Sequence, residues 1–174
     1  MPIRNFWSLE CGEVITAEAL TKNVKDCEIY FPLHDTGIDL LAVKDKKHVS
    51  IQVKESRYFV KNYKGSTGSS SHQIHKKKFL RDRNRVDFYV FLTYIPQFGK
   101  HKMSSFENKF VIVSTGELAP RIENKKSGKR DVYSFYFNFD GNKITEKRDT
   151  LTDYSEYLDR WDLIDNALRI PASV

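Results

Sequence analysis

A hairpin pattern with a carboxylate inside its apolar half constrains this chain more than any other feature. Ile38 to Val43 is a nearly continuous apolar run, Asp45-Lys46-Lys47 is a polar turn, and His48 to Lys54 alternates. Val49, Ile51 and Val53 share one face of that second segment. His48, Ser50, Gln52 and Lys54 share the other. Two such segments joined by a tight turn form a hairpin whose apolar side must be buried. Asp39 interrupts the first segment, where an ionised carboxylate is costly unless it meets a cation or a hydrogen-bond donor. Pairing of the two strands brings Asp39 to the same sheet end as Gln52 and Lys54. A carboxylate and a carbonyl-type oxygen can hold a hard cation such as magnesium. A bound cation of that kind neutralises phosphate and polarises water. The lysine is suited to orienting that water or to stabilising charge on a phosphate.

The remaining pattern supplies a frame for this hairpin. Glu10 to Lys22 is expected to be a helix, with Val14, Ala17 and Leu20 beside Ile15 and Ala19 as its apolar stripe. Its Glu13 could direct a second carboxylate toward Asp39, in competition with Glu10 and Glu18. A short strand is expected over Glu28–Leu33, and Gly37 should turn the chain into the hairpin. Gly65 to Ser71 reads as a flexible loop. His72 to Arg83 reads as a basic helix. Strands follow over Asp87–Ile95, Lys109–Ser114 and Val132–Phe139, with Pro96–Ser105 as a loop. Tyr133, Phe135, Phe137 and Phe139 fall on one face of the last of these strands and are expected in the core. A helical turn at Thr115–Leu118 should be limited by Pro120, and Leu158–Leu168 should be the last helix. The order of elements implies a mixed α/β layer built around one sheet. With 174 residues, one domain is expected over 1–174, with a core of about 10–114 and a C-terminal extension over 115–174.

Charge points to a polyanionic partner. The net charge is +6, but Lys44 to Arg85 alone holds 13 Lys or Arg against three acids, so the rest of the chain is net acidic. Asp149 to Asp165 carries six acids and one Arg160. One face suited to phosphate is therefore expected. Ser56 and Arg57, just past Lys54, and His72, Gln73, Lys76 and Lys77 at the expected start of the basic helix are the candidates to touch DNA. Two cysteines, Cys11 and Cys27, exclude a disulfide scaffold and do not form a zinc motif. Residues 1–7 lack the apolar stretch of a signal peptide, so a cytoplasmic location is expected. Walker, dinucleotide and nucleophile-elbow motifs are absent.

The residues Gly37-Ile38-Asp39 followed by Gln52-Val53-Lys54 resemble the PD-(D/E)xK nuclease superfamily, in particular its Mrr-like restriction-endonuclease and Holliday-junction-resolvase-like branches. Gly12-Glu13-Val14-Ile15-Thr16-Ala17-Glu18-Ala19-Leu20 is similar to the leading helix of that group. The likeness spans roughly residues 10–56. It implies a restriction-endonuclease-like α/β core of order α-β-β-β-α-β, with a mixed central sheet flanked by helices. It also implies magnesium-dependent cleavage of DNA phosphodiesters, with manganese able to substitute, and it admits a homodimer. By the same resemblance Asp39, Gln52 and Glu13 hold the metal, and Lys54 completes the catalytic set. Gln52 stands where most of the superfamily has an acid, which removes one negative charge from the site. The Pro-Asp pair is replaced by Pro32-Leu33-His34-Asp35-Thr36-Gly37-Ile38-Asp39. Two alternatives remain open: a non-cleaving nucleic-acid-binding module of the same fold, and a structure-selective junction resolvase.

Overall fold

The computed structural model describes residues 9–34, 37–57, 59–60, 68–98, 103–125, 131–147 and 151–169. Helix α1 (Cys11–Asn23) leads into strands β1 (Glu28–Tyr30), β2 (Leu40–Lys44), β3 (Lys47–Arg57), β4 (Phe59–Val60) and β5 (Gly68–His75). Helix α2 (Lys76–Asp82), strands β6 (Phe88–Phe98) and β7 (Met103–Ser114), and helix α3 (Thr115–Glu123) follow. Strands β8 (Val132–Asp140), β9 (Lys143–Glu146) and β10 (Thr152–Asp153) precede a 3₁₀ turn at Ser155–Tyr157 and helix α4 (Trp161–Arg169).

The strands form two sheets. The first is mixed, in the order β1-β2-β3-β6-β7; β3 and β6 run parallel and the other neighbours antiparallel. The second is antiparallel, in the order β10-β9-β8-β5-β4. Among the described residues the chain is thus a mixed α/β protein with a central mixed sheet and four helices, as its pattern implies. The second sheet is the addition that the pattern does not reveal. It enters between the third strand and the second helix, so β4 and β5 interrupt the expected α-β-β-β-α-β order.

Alternation along the central sheet divides the core in two. Leu40, Ala42, Val49, Ile51, Val53, Val90, Leu92 and Ile112 pack with α1 and α4. Tyr89, Phe91, Val111 and Val113 face the second sheet and meet Ile74, Tyr133, Phe135, Phe137 and Phe139. The aromatic alternation in β8 is therefore core, as expected from its spacing. Phe91 lies at its centre, with ring centroids 5.2 Å from Phe135 and 5.3 Å from Phe137.

Several local expectations are corrected. The buried face of α1 is Gly12, Glu13, Thr16, Ala17 and Leu20, whereas Val14 is exposed. Glu13 and Thr16 are therefore turned inward beside Ala17 and Leu20 of the expected stripe. Gly68 to His75 is not loop or helix but strand β5, paired with β8 from Gly68↔Phe139 to His75↔Val132. Its serines and histidine satisfy a β-ladder that local propensity does not foretell. Residues 61–67, which include the first three residues of the expected flexible loop, lie outside the described residues. The expected loop at Pro96–Ser105 is instead largely the continuation of the β6–β7 hairpin, which pairs to Phe98↔Met103. Pro96 is tolerated there because β3 has ended, leaving β6 with a partner on one side only. Pro120 sits inside α3 without stopping it. The Ser114 hydroxyl accepts from Glu117 N and donates to the Glu117 carboxylate, an N-cap that starts the helix, and buried Leu118 and Ile122 hold it through the proline. Among the described residues no helix is long and apolar enough to cross a membrane.

Because Phe91 is fully buried and joins both sheets, Phe91→Ala is expected to cost about 3–5 kcal/mol. Urea unfolding followed by far-UV circular dichroism would show this as a lower midpoint with an unchanged slope.

Candidate active site

The site begins where β2 parts from β3. Asp39 N donates to Ile51 O at 2.9 Å, and regular pairing then runs from Leu40↔Ile51 to Lys44↔Lys47. Before Asp39 the chain turns at Gly37, whose φ is +87°. Val53 N, which a longer β2 would have met with a backbone carbonyl, instead donates to Asp39 Oδ2 at 2.8 Å. Gln52 Nε2 donates to the same oxygen. The carboxylate within the apolar run is thus 9% exposed and satisfied by one backbone and one side-chain donor.

Gln52 is also buried, and Lys54, two residues on and on the same face of β3, is half-buried. Asp39 and Gln52 are therefore in direct contact, with Lys54 beside them on the strand. Of the three acids in α1, Glu13 alone is buried, at 3%; Glu10 and Glu18 are exposed. The helix packs against β2 and β3. Glu13, Asp39 and Lys54 all engage further polar or electrostatic partners.

Sequence reasoning missed three other groups around this centre. Asp82, at the end of α2, is 1% exposed and accepts two hydrogen bonds from the Arg81 guanidinium at 2.7 Å. Its Oδ2 lies so close to Gly37 that a Cβ there would collide with it. The basic helix is thereby docked against the turn two residues before Asp39. Asp82 was the one acid in a run of six cations from Lys76 to Arg85, and that isolation was its only signal. Tyr89, paired with Gln52 in the parallel ladder, is the second group. Burial pushes its phenol well above the usual tyrosine range, and the charges of Asp82 and Asp39 add to the effect.

The third is the role of His72. Its expected place at a helix start, facing phosphate, is not where the structure puts it. It lies within β5, 1% exposed, between the rings of Phe91 and Phe137 at 5.4 and 5.5 Å. Such a ring is out of reach of a surface-bound strand. Nδ1 must carry its proton, because it is 2.9 Å from the Lys54 carbonyl, which can only accept. Nε2 then accepts from the Ser70 hydroxyl at 3.0 Å, and Ser70 Oγ in turn accepts from the Thr93 hydroxyl at 3.0 Å. The imidazole thus ties the backbone of Lys54 to the second sheet.

The other expected contact residues are spread over two sheets and a helix. Ser56 Oγ donates weakly to Arg57 O and accepts from Ser71 N at 3.1 Å, so it serves the junction between sheets. Arg57 is exposed at the end of β3, and Gln73 is exposed on β5. Lys76 is half-buried and Lys77 exposed at the start of α2, a helix of seven residues that follows directly on a strand.

Oxygen donors suit this centre to a hard cation. Asp39 Oδ2 accepts from both Val53 N and Gln52 Nε2. Among the described residues no group of three His, Cys, Asp or Glu converges. At this centre the Gln52 amide presents its N–H, not its oxygen, to Asp39.

No family model matches the chain, and no curated protein matches it. Among solved structures, the bacterial homing endonuclease I-Ssp6803I aligns with a TM-score of 0.45 at 17% identity, over 87% of this chain and 84% of that one. A likeness at that level carries no argument about the chemistry of this chain.

Two predictions follow from the local geometry. Burial holds the His72 imidazole down to about 3, far below its ordinary value. The unfolded chain therefore takes up the proton first as pH falls below about 6.5, and native stability declines from there toward pH 3. Between pH 7 and 5 the thermal midpoint is expected to fall, and His72→Asn, which keeps a donor for Lys54 O, should flatten that slope. Gly37→Ala places a Cβ at positive φ against the Asp82 carboxylate and is expected to cost about 1–3 kcal/mol by denaturant melts.

Proposed function

We propose that this protein is a metal-dependent endonuclease of the PD-(D/E)xK type, hydrolysing DNA phosphodiesters. The observation that carries this reading is the buried Asp39 carboxylate, held by Val53 N and in contact with Gln52 beside Lys54. Structural carboxylates are ordinarily neutralised by a cation at the surface. Keeping one at a strand end next to an amide and a lysine is an arrangement with a catalytic use.

In this reading Asp39 and Gln52, with Glu13, would hold magnesium, for which manganese could substitute. The ion, when bound, supplies Lewis acidity to the phosphate and acidifies a water. Lys54 stabilises the negative charge that grows on the phosphate as the bond to the leaving oxygen lengthens. His72 fixes the backbone from which that lysine extends. The docking of α2 by Asp82 puts Lys76 and Lys77 on an element that abuts the Asp39 turn, where they can meet the phosphate backbone.

One observation favours a second reading. Gln52 presents an N–H to Asp39, so the amide takes the place that a cation would hold. A binding module of this fold that does not cleave would have no need to displace it.

Nicking of supercoiled plasmid separates the two. With magnesium or manganese, wild type is expected to nick. Asp39→Asn, which still accepts from Val53 N, and Lys54→Ala should lose at least about 100-fold in rate while retaining gel-shift binding. Chelation should abolish nicking without abolishing binding. Binding by all three proteins with no nicking by any would establish the second reading.

A further inference from the structure

The β6–β7 ribbon has a feature that the catalytic reading does not use. Pairing of β3 with β6 ends at Arg57↔Tyr94, but β6 and β7 continue together to Phe98↔Met103. On the α1 side of the ribbon's base lies a groove of about 640 Å³. Its walls include Glu55 and Arg57 from β3, Tyr94 from β6, and Phe106 and Asn108 from β7. Ser56 also reaches it, but Glu13, Asp39, Gln52 and Lys54 do not line it, so the groove is distinct from the candidate centre. It is nevertheless near it, since Arg57 is three residues after Lys54, about 10 Å along a strand.

We propose that this groove binds one unpaired nucleotide of a single-stranded nucleic acid, its base stacked on Phe106 and its phosphate on Arg57. The proposal rests on the nucleic-acid reading above and adds a subsite to it. Phe106 is 50% exposed, yet its ring is held edge-on by Tyr94 with centroids 6.3 Å apart. Tyr94 is itself fixed, because its hydroxyl donates to Glu55 Oε2 at 2.8 Å. An exposed aromatic face on a rigid mount beside a cation is the chemistry that takes a base and its phosphate without regard to duplex sequence. The remaining polar groups suit base edges. A carboxylate accepts from the exocyclic amine of cytosine, and an amide pairs with adenine. Glu55 and Asn108 supply those two groups. An occupant with a purely apolar side chain would offer Asn108 and Arg57 no hydrogen bond in place of the water it displaces.

The test is binding of a ten-nucleotide single-stranded DNA carrying 2-aminopurine, in chelator so that nothing is cut. Wild type is expected to bind it and to quench the 2-aminopurine. Phe106→Leu keeps the apolar volume and loses the π-face; it should weaken binding about tenfold or more and lose the quench. Phe106→Trp should restore both. Arg57→Ala should lower the salt slope by about 0.7, the value for one phosphate contact on a single strand. Thermal melts of each variant should match wild type, since Phe106 and Arg57 are exposed. Equal binding by wild type and Phe106→Leu overturns the proposal, as does failure of wild type to bind the oligonucleotide. If wild type ignores the single strand but nicks plasmid, the subsite fails and the nuclease stands. If it neither binds duplex nor nicks, the nuclease reading fails with it.

Discussion

The separation of β2 from β3 at Asp39 is the constraint on which the site depends. A strand that leaves a sheet strands the N–H groups of its former neighbour, and buried N–H groups need acceptors. Here the departing residue supplies the acceptor itself, through its side chain. The same carboxylate that satisfies Val53 N is thereby fixed beside Gln52. Gly37 makes the departure sterically feasible, and Asp82 packs against that glycine so closely that no larger residue fits. Chain geometry, hydrogen-bond accounting and placement of a charged group are one problem with one solution.

Lys54 is constrained from the other direction. Its strand belongs to the mixed sheet, but its carbonyl is bonded to His72 of the antiparallel sheet. The imidazole is shielded by Phe91 and Phe137 and engaged at both nitrogens, so its tautomer is set by its neighbours rather than by solvent. A neutral ring serves this purpose better than a charged one, because no counter-ion is needed between two apolar layers.

Much of this was legible in the sequence, and the parts that were not have identifiable reasons. The β2–β3 hairpin, the juxtaposition of Asp39 and Gln52, and the core face of β8 followed from alternation alone, because period-two patterns specify faces directly. The choice of Glu13 among three acids did not follow, since α1 buries glycine, glutamate and threonine while exposing Val14. Apolar spacing placed Ala17 and Leu20 inward and misplaced Val14, but it says nothing of which polar residues are buried beside them. His72 looked like a phosphate contact because it precedes three lysines. Its strand conformation depends on pairing with β8, some sixty residues later, which no local pattern reports. The second sheet was hidden for the same reason: Ser69, Ser70 and Ser71 have loop composition and acquire strand structure only from a distant partner.

The insertion of β4 and β5 has a consequence for how the molecule responds to an occupant. Gln52 and Lys54 belong to the central sheet and Asp39 to its margin, whereas the lysines of α2 follow directly from a strand of the second sheet. A polyanion touching both would bind only when the two layers are correctly apposed. Its affinity would then be drawn from the same free energy that holds Phe91 against β8, and occupancy would raise the unfolding temperature in proportion to the logarithm of its concentration. In such an arrangement the interior between the layers, far from any solvent-exposed charge, sets how tightly the surface can hold what it binds.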